Sequence, residues 1–240
     1  MTSQSPFLTL LGFGTQGWGF ALLHGSLATL GIAVASFLLG GIIGTIAAWA
    51  KIKGGRFVRW FASTFTTIFR GVPDLLVVYL FYFGSSSLVA PIARALGNPE
   101  VTTLPGFVAG ILAIGIVSGA YQTEVLRAAF GTIRRGELEA ATAAGMSTLL
   151  KFRRIIVPLT LRNAIPNLGN VWQFTLKDTA LISVIGVVDT VRQAQMGAGA
   201  THRPFPFFIA AGIAFLLITT LSGFAFRRAD AFFRKDGTRS

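Results

Sequence analysis

The sequence predicts an all-α integral membrane protein, and three observations predict it. Apolar residues fill 52% of the 240 positions and charged residues only 12%, where an ordinary soluble domain carries about a quarter charged residues. Two uncharged runs of 22 residues, 102–123 and 205–226, have the length that a helix needs to cross the hydrocarbon core. The basic residues gather beside apolar segments, as membrane anchors do. That placement gives the net charge of +12 a membrane explanation and argues against nucleic acid as a partner. Cysteine is absent, which excludes disulfides and thiolate chemistry.

In order along the chain, residues 1–24 read as an external segment. No Lys or Arg precedes Lys51, so the basic start of a secretory signal is missing and the first apolar segment is expected to be retained. The first crossing runs from Trp18 to Ala50, with His24 near its outer boundary and Gly40 and Gly44 at a spacing that allows helices to approach closely. Lys51, Lys53, Arg56 and Arg59 then mark a cytoplasmic turn. From Arg56 to Arg70 the pattern is amphipathic: Phe57, Trp60, Phe61, Phe65, Ile68 and Phe69 share one helical face, and Arg56, Arg59, Ser63, Thr66, Thr67 and Arg70 the other. This helix either tilts into the bundle with a polar inner face or lies along the interface.

Gly71, Val72 and Pro73 should break that helix, and Leu75 to Phe83 completes the second crossing. Residues 84–104 read as an external loop, and 102–123 as the third crossing, ending at Glu124 and Arg127. Arg162 and Pro166 are expected to open a fourth segment, interrupted at Lys177 and Asp178; 205–226 is the last crossing. Of the 21 Lys and Arg residues, 16 fall on the expected inner segments, 3 on the outer ones, and Arg70 and Lys177 lie between. The inner excess predicts about five crossings, with the N-terminus outside and the C-terminus cytoplasmic.

Several kinds of chemistry lack their motifs. There is no phosphate-binding G-x-x-x-x-G-K-[ST] loop, no H-E-x-x-H and no G-x-S-x-G elbow, and the two histidines, His24 and His202, are far apart. The expectation is a chain that is not an enzyme, with no metal and no cofactor of its own. What remains are ionisable groups in or beside apolar segments: Arg70, Asp74, Glu124, Lys177 and Asp178. Such groups are costly in a membrane unless they are paired or face water. They either neutralise neighbours, as Arg70 with Asp74, Glu124 with Arg127 and Lys177 with Asp178, or they line a polar cavity. Helix breaks at 71–73 and 177–178 fit the second reading, because transporters expose backbone around a central cavity.

The segment 136–158 has a different character. Glu137 and Glu139 suit the positive start of a helix dipole, and Ala140, Ala141, Ala143 and Ala144 form a small-residue helix that admits close approach of another surface. Gly145 should end it, Ser147 should cap a second helix from Thr148 to Ile156, and Pro158 should prevent its simple continuation. The expected product is a helix-turn-helix plug for a partner.

Glu139-Ala140-Ala141, then Gly145, Ile156 and Pro158, resembles the EAA loop of ABC importer permeases. Phe69 to Asp74, Gly119 to Glu124 and Leu176 to Gly186 extend the resemblance to the polar-amino-acid permeases, in particular the histidine, octopine and nopaline group, over roughly residues 25–227. The resemblance implies a type I importer fold over 25–227, a cytoplasmic basic tail at 228–240 and a place in the bacterial inner membrane. It also implies two cytoplasmic ATPase subunits that bind ATP and magnesium, a second homologous permease subunit and a periplasmic solute-binding protein. The EAA loop would fit a cleft in the ATPase, and the substrate would be a polar or basic amino acid or an opine. Two other readings stand beside it: a proton-coupled secondary carrier using Glu124 or Asp178, and a structural membrane subunit without a solute path. The absence of obvious internal duplication counts against the carrier.

Overall fold

The computed structural model describes residues 10–14, 17–98, 100 and 102–235. Much of the expected external segment (1–9, 15 and 16) and the end of the basic tail (236–240) therefore lie outside the described residues. The described chain is helical: α1 (Gly19–Lys53), α2 (Arg56–Gly71), α3 (Asp74–Gly84), α4 (Ser86–Ala95), α5 (Gly106–Gly131), α6 (Arg135–Ala143), α7 (Thr148–Lys151), α8 (Val157–Asp178), α9 (Thr190–Thr201) and α10 (Pro204–Lys235). Among the described residues, four helical stretches are long and apolar enough to cross a membrane: Gly19–Lys53, Asp74–Ala95, Gly106–Gly131 and Pro204–Phe232.

The seam between α1 and α5 is made by glycine. A Cβ on Gly40 would lie 2.8 Å from Gln122 Nε2 and 2.9 Å from Gly119 N, and one on Gly44 would lie 2.8 Å from Gln122 Cβ. On the facing helix, Cβ atoms at Gly115 and Gly119 would meet Leu39 and Ile43 at 2.7 and 2.9 Å. Small residues at four-residue spacing on both helices thus bring two backbones together, as the Gly40–Gly44 spacing predicts. The approach is close enough for Gln122 Nε2 to donate to the Phe37 carbonyl at 2.9 Å across the seam.

Around this pair the apolar side chains interlock. Ile32, Val78, Ile114, Val117 and Ile182 bury against one another between α1, α3, α5 and the 3-10 segment Thr179–Ile185. Ala33, Trp172 and Leu176 form a second cluster, with Phe37 edge-on to Trp172 at 5.5 Å. At the α9 end, Asp189 is buried and accepts from the Arg192 backbone N–H at 2.8 Å, while Thr190 N donates to Thr29 Oγ1 at 3.1 Å. These bonds fix the start of α9 to α1. The large apolar chains on the outward faces of α1 and α10, such as Ile46 and Leu216, are left exposed, as expected where hydrocarbon is the solvent.

Two expectations need correction. Residues 84–104 are not a plain loop, because α4 occupies 86–95 and prolongs α3. The Ser85-Ser86-Ser87 run and Pro91 read as loop signals. In the structure the three hydroxyls donate back to the carbonyls of Tyr82, Phe83 and Gly84 and so serve the backbone of the junction. Second, the helix beginning at Thr148 does not stop at Pro158, and Pro166 lies inside α8. Residues Phe152–Ile156 form a π-helical turn, in which the Val157 N–H reaches the Phe152 carbonyl. The wider turn accommodates the ring and missing N–H of Pro158, so α7, the π turn and α8 follow one another without a break. Residues 190–201, to which the sequence reading assigned no element, form the helix α9.

The glycine seam makes a direct prediction. Gly40→Leu or Gly44→Leu should destabilise the bundle by about 1–3 kcal/mol, the usual penalty for overpacking. Gly41→Leu, whose Cβ meets only Gln122 Oε1 at 3.5 Å, should be tolerated better. Thermal unfolding of the purified subunit in detergent, followed by size-exclusion chromatography, reads the difference.

Candidate functional site

Two groups of residues are built by this fold, at different places. The first is the short helix α6 and its turn. Glu137 accepts the Arg134 backbone N–H at 3.3 Å and so closes the helix start. At the other end the Met146 N–H reaches the Ala141 carbonyl at 3.1 Å and the Gly145 N–H reaches the Thr142 carbonyl at 3.0 Å. Those two bonds are the Schellman pattern, which requires a left-handed residue after the helix. Gly145 supplies it with φ +73°. Ser147 Oγ then accepts the Leu150 N–H at 3.3 Å and starts α7. Ala141 is buried, whereas Glu139, Ala140, Ala143, Ala144 and Gly145 face outward.

Ile156 ends the π turn and Pro158 lies in the first turn of α8. The exposed small-residue surface of α6 is thus joined to the long helix through the Gly145 turn. Asn163 on α8 donates to Thr132 Oγ1 at 2.6 Å, which ties the connection before α6 to the same helix. Leu149 is 75% exposed at the tip, a residue that charge and motif reasoning passed over.

The second group lies where α2 breaks. The break falls at 72–73, as the sequence predicts; in α2, Ala62 and Thr66 are buried and Ser63, Phe65 and Phe69 half-buried, while Arg56, Arg59 and Arg70 are exposed along with Phe57, Trp60 and Phe61. Arg70 does not pair with Asp74. Its guanidinium instead stands over the Tyr121 ring, 5.4 Å from the centroid. Tyr121 stacks with Phe174 at 6.5 Å, and the Lys177 ammonium lies 6.0 Å from the Phe174 centroid and makes no ion-pair contact with Asp178. Asp74 and Asp178 are near enough for their charges to oppose each other. Arg70, Tyr121, Phe174 and Lys177 thus form a chain of cation–ring and ring–ring contacts on an exposed face, with two half-buried carboxylates beside it. Such a face offers both signs of charge and aromatic surface to a solute.

Glu124 joins a different set. Its carboxylate pairs with Lys51 Nζ at 2.5 Å and with Arg127 Nε at 2.9 Å, and the Lys51 ammonium also donates to Thr66 Oγ1. The Glu124–Arg127 pair is the expected one. Lys51, read from its sequence only as a cytoplasmic anchor, is 9% exposed and joins α1, α2 and α5. With Arg59 and Ser63 these residues line a cavity of about 360 Å³. Among the described residues, no group of three or more His, Cys, Asp or Glu side chains is arranged to hold a metal.

Removing one partner of a largely buried ion pair leaves the other uncompensated. Lys51→Met should therefore lower the stability of the subunit by about 2–4 kcal/mol, somewhat below the fully buried range because Glu124 keeps 21% exposure and Arg127 as a second partner. Lys51→Met combined with Glu124→Gln should recover part of that loss in the same thermal assay.

The comparisons with known proteins agree with this architecture. Residues 40–235 match the family described as binding-protein-dependent transport system inner membrane component. The chain is 48% identical over 225 residues to the octopine transport system permease protein OccQ of Rhizobium meliloti, covering 94% of this chain and 95% of that one. It is 44% identical to the nopaline transport system permease protein NocQ of Agrobacterium fabrum, covering 97% and 99%. A solved structure titled an amino acid ABC transporter with histidines superposes with a TM-score of 0.74 at 28% identity, over 91% of this chain and 95% of that one. The chain belongs to the family of binding-protein-dependent inner membrane components and is a multi-pass ABC importer permease subunit with the type I fold, in the group of the octopine and nopaline permeases.

Proposed function

We propose that this subunit forms half of the translocation pathway of an ATP-driven importer for polar or basic amino acids or opines in the bacterial inner membrane. A second homologous permease subunit supplies the other half. Two cytoplasmic ATPases bind ATP and magnesium, and a periplasmic binding protein delivers the solute. The single observation that carries the coupling part is the continuity of the helix after Gly145. From Thr148 through the π turn to Asp178 there is one helical path, about 45 Å long at 1.5 Å per residue. One end lies beside the exposed α6 surface and the other carries Lys177 and Asp178.

A displacement applied at Glu139, Ala140, Ala141 and Gly145 is carried by Ile156 and Pro158 to the residues of the substrate face. On this reading Arg70, Asp74, Lys177 and Asp178 contact the solute, the carboxylates taking its cationic groups and the cations its carboxylate. Glu124 holds three helices together beside that path. The crossings are α1, α2–α3 with α4, α5, α8 and α10, with the N-terminus outside and the basic ends of α1, α5 and α10 in the cytoplasm, in keeping with the distribution of Lys and Arg.

Gly145→Asp should leave the subunit inserted but weaken its association with the ATPase, since a side chain at φ +73° strains the turn and its charge alters the docking surface. Co-purification from native membranes measures this; full recovery of the ATPase together with normal uptake would contradict the coupling role. Asp74→Asn and Asp178→Asn should instead spare co-purification and reduce uptake of a cationic substrate by tenfold or more, roughly the effect of losing one charge-assisted hydrogen bond. Variants that only fail to assemble would remove the support for a substrate role. Transport in vesicles without any ATPase would favour a secondary carrier.

A further inference from the structure

On the face shared by α2, α5 and α8, two aromatic rings stand between two cations. Tyr121 packs against the buried cluster that includes Ile114 and Val117, which holds its ring in place on α5. Phe174, 56% exposed, stacks with Tyr121 at 6.5 Å and lies one turn before Lys177 and Asp178 on α8. The Arg70 guanidinium covers the Tyr121 ring at 5.4 Å, and the Lys177 ammonium lies 6.0 Å from the centre of the Phe174 ring. Both cations are exposed, and among the described residues neither has a carboxylate within ion-pair distance.

An exposed cation gains little from a ring, roughly two- to fivefold in an equilibrium constant. A bidentate pair between an arginine and a carboxylate is stronger and fixes the geometry as well. Arg70 therefore leaves its ring when a carboxylate is brought to it. The surface it leaves behind suits a particular ligand. A flat, delocalised guanidinium stacks on an aromatic face, whereas an ammonium is a compact and more strongly hydrated charge.

We propose that Tyr121 and Phe174 receive the cationic group of the solute, and that Arg70 holds that place while the site is empty. The inference rests on the reading of this face as the substrate path. A solute with both a carboxylate and a guanidinium makes the exchange: its carboxylate draws Arg70 off Tyr121, and its guanidinium takes the vacated ring. Asp74 and Asp178, whose charges oppose each other, then gain a cation in their neighbourhood. A solute with a cation and no carboxylate has nothing to offer Arg70, so the ring stays covered. The exchange selects for the two charges together.

The test is equilibrium dialysis of radiolabelled arginine, and of agmatine (arginine without its carboxylate), against this subunit purified with its accompanying subunits. The binding protein is left out, so that its own selectivity does not enter. The wild type should bind arginine at least tenfold more tightly than agmatine. Tyr121→Leu and Phe174→Leu should each weaken arginine binding roughly fivefold, and Tyr121→Phe, which keeps a ring, should not. Arg70→Met should weaken arginine tenfold or more yet tighten agmatine roughly threefold, because the ring is then open. A misfolded variant cannot gain agmatine, so that gain also serves as the folding control. Arg70→Met lowering both ligands together, or the two leucine variants leaving arginine binding unchanged, would overturn the exchange. If Asp74→Asn and Asp178→Asn lose arginine while the leucine variants keep it, the ring site falls and the substrate face stands. No arginine binding by the wild type, or binding that none of these variants alters, would overturn both.

Discussion

The close approach of α1 and α5 is the contact on which the other arrangements depend. Four glycines remove the side chains that would hold the two backbones apart, and Gln122 bonds across the gap to the Phe37 carbonyl. In lipid, hydrophobicity does little to hold one helix against another, so close packing and a few polar bonds must do it. Once the pair is fixed, Lys51 on α1 stands within reach of Glu124 on α5, and α2 is drawn in through Thr66. Thr66 of α2 then faces inward, and Arg70, one turn further on, stands over Tyr121 at the break.

The π turn at 152–156 shows how one residue's chemistry changes a whole element. Proline inside a helix removes a hydrogen bond and clashes with the preceding turn. A widened turn is one way to absorb both problems, and the chain uses it at Pro158. A stop at Pro158 would have made α6 and its turn an isolated plug, joined to the bundle by a flexible connection. With the helix carried through, the same residues sit at the end of a stiff rod. If the 136–158 segment has the proposed coupling role, that role rests as much on the long helix behind it as on its own surface.

The broad architecture was legible because membrane crossings are written in composition, and the break at 71–73 because Gly and Pro act locally. The α6 turn was legible for the same reason: a Schellman ending needs a left-handed residue, and glycine at 145 marks it. The failures have physical causes as well. Serines at 85–87 look like a loop until their hydroxyls are seen donating to helical carbonyls. Pro158 looks like a stop until the π turn is seen. Ion pairs were harder still, since pairing depends on which helices touch. Glu124 has Arg127 one turn away, visible in the sequence, but its more buried partner Lys51 is 73 residues distant. Arg70 and Lys177, which the sequence left between pairing with carboxylates and lining a cavity, lie over aromatic rings.

The placement of those two cations bears on how the proposed substrate face is completed. Arg70, Phe174 and Lys177 are exposed, and Asp74 and Asp178 are only half-buried, beside long helices such as α1 and α10 that expose many large apolar side chains. Ionisable groups facing hydrocarbon would be strongly unfavourable, and the break between α2 and α3 would add unsatisfied backbone at the same depth. The chain meets these costs only in part: Arg70 and Lys177 lie over aromatic rings and the Pro73 carbonyl accepts from the Leu76 and Val77 N–H groups, but Arg70 and Asp74 do not neutralise each other. The face must therefore look onto water or onto another protein. A second permease subunit placed against it would enclose a polar space between two such faces, and a solute bearing charges of both signs would then meet partners of both signs within it. The charges left without ion-pair partners on this face are then the reason that one subunit is only half of the proposed pathway.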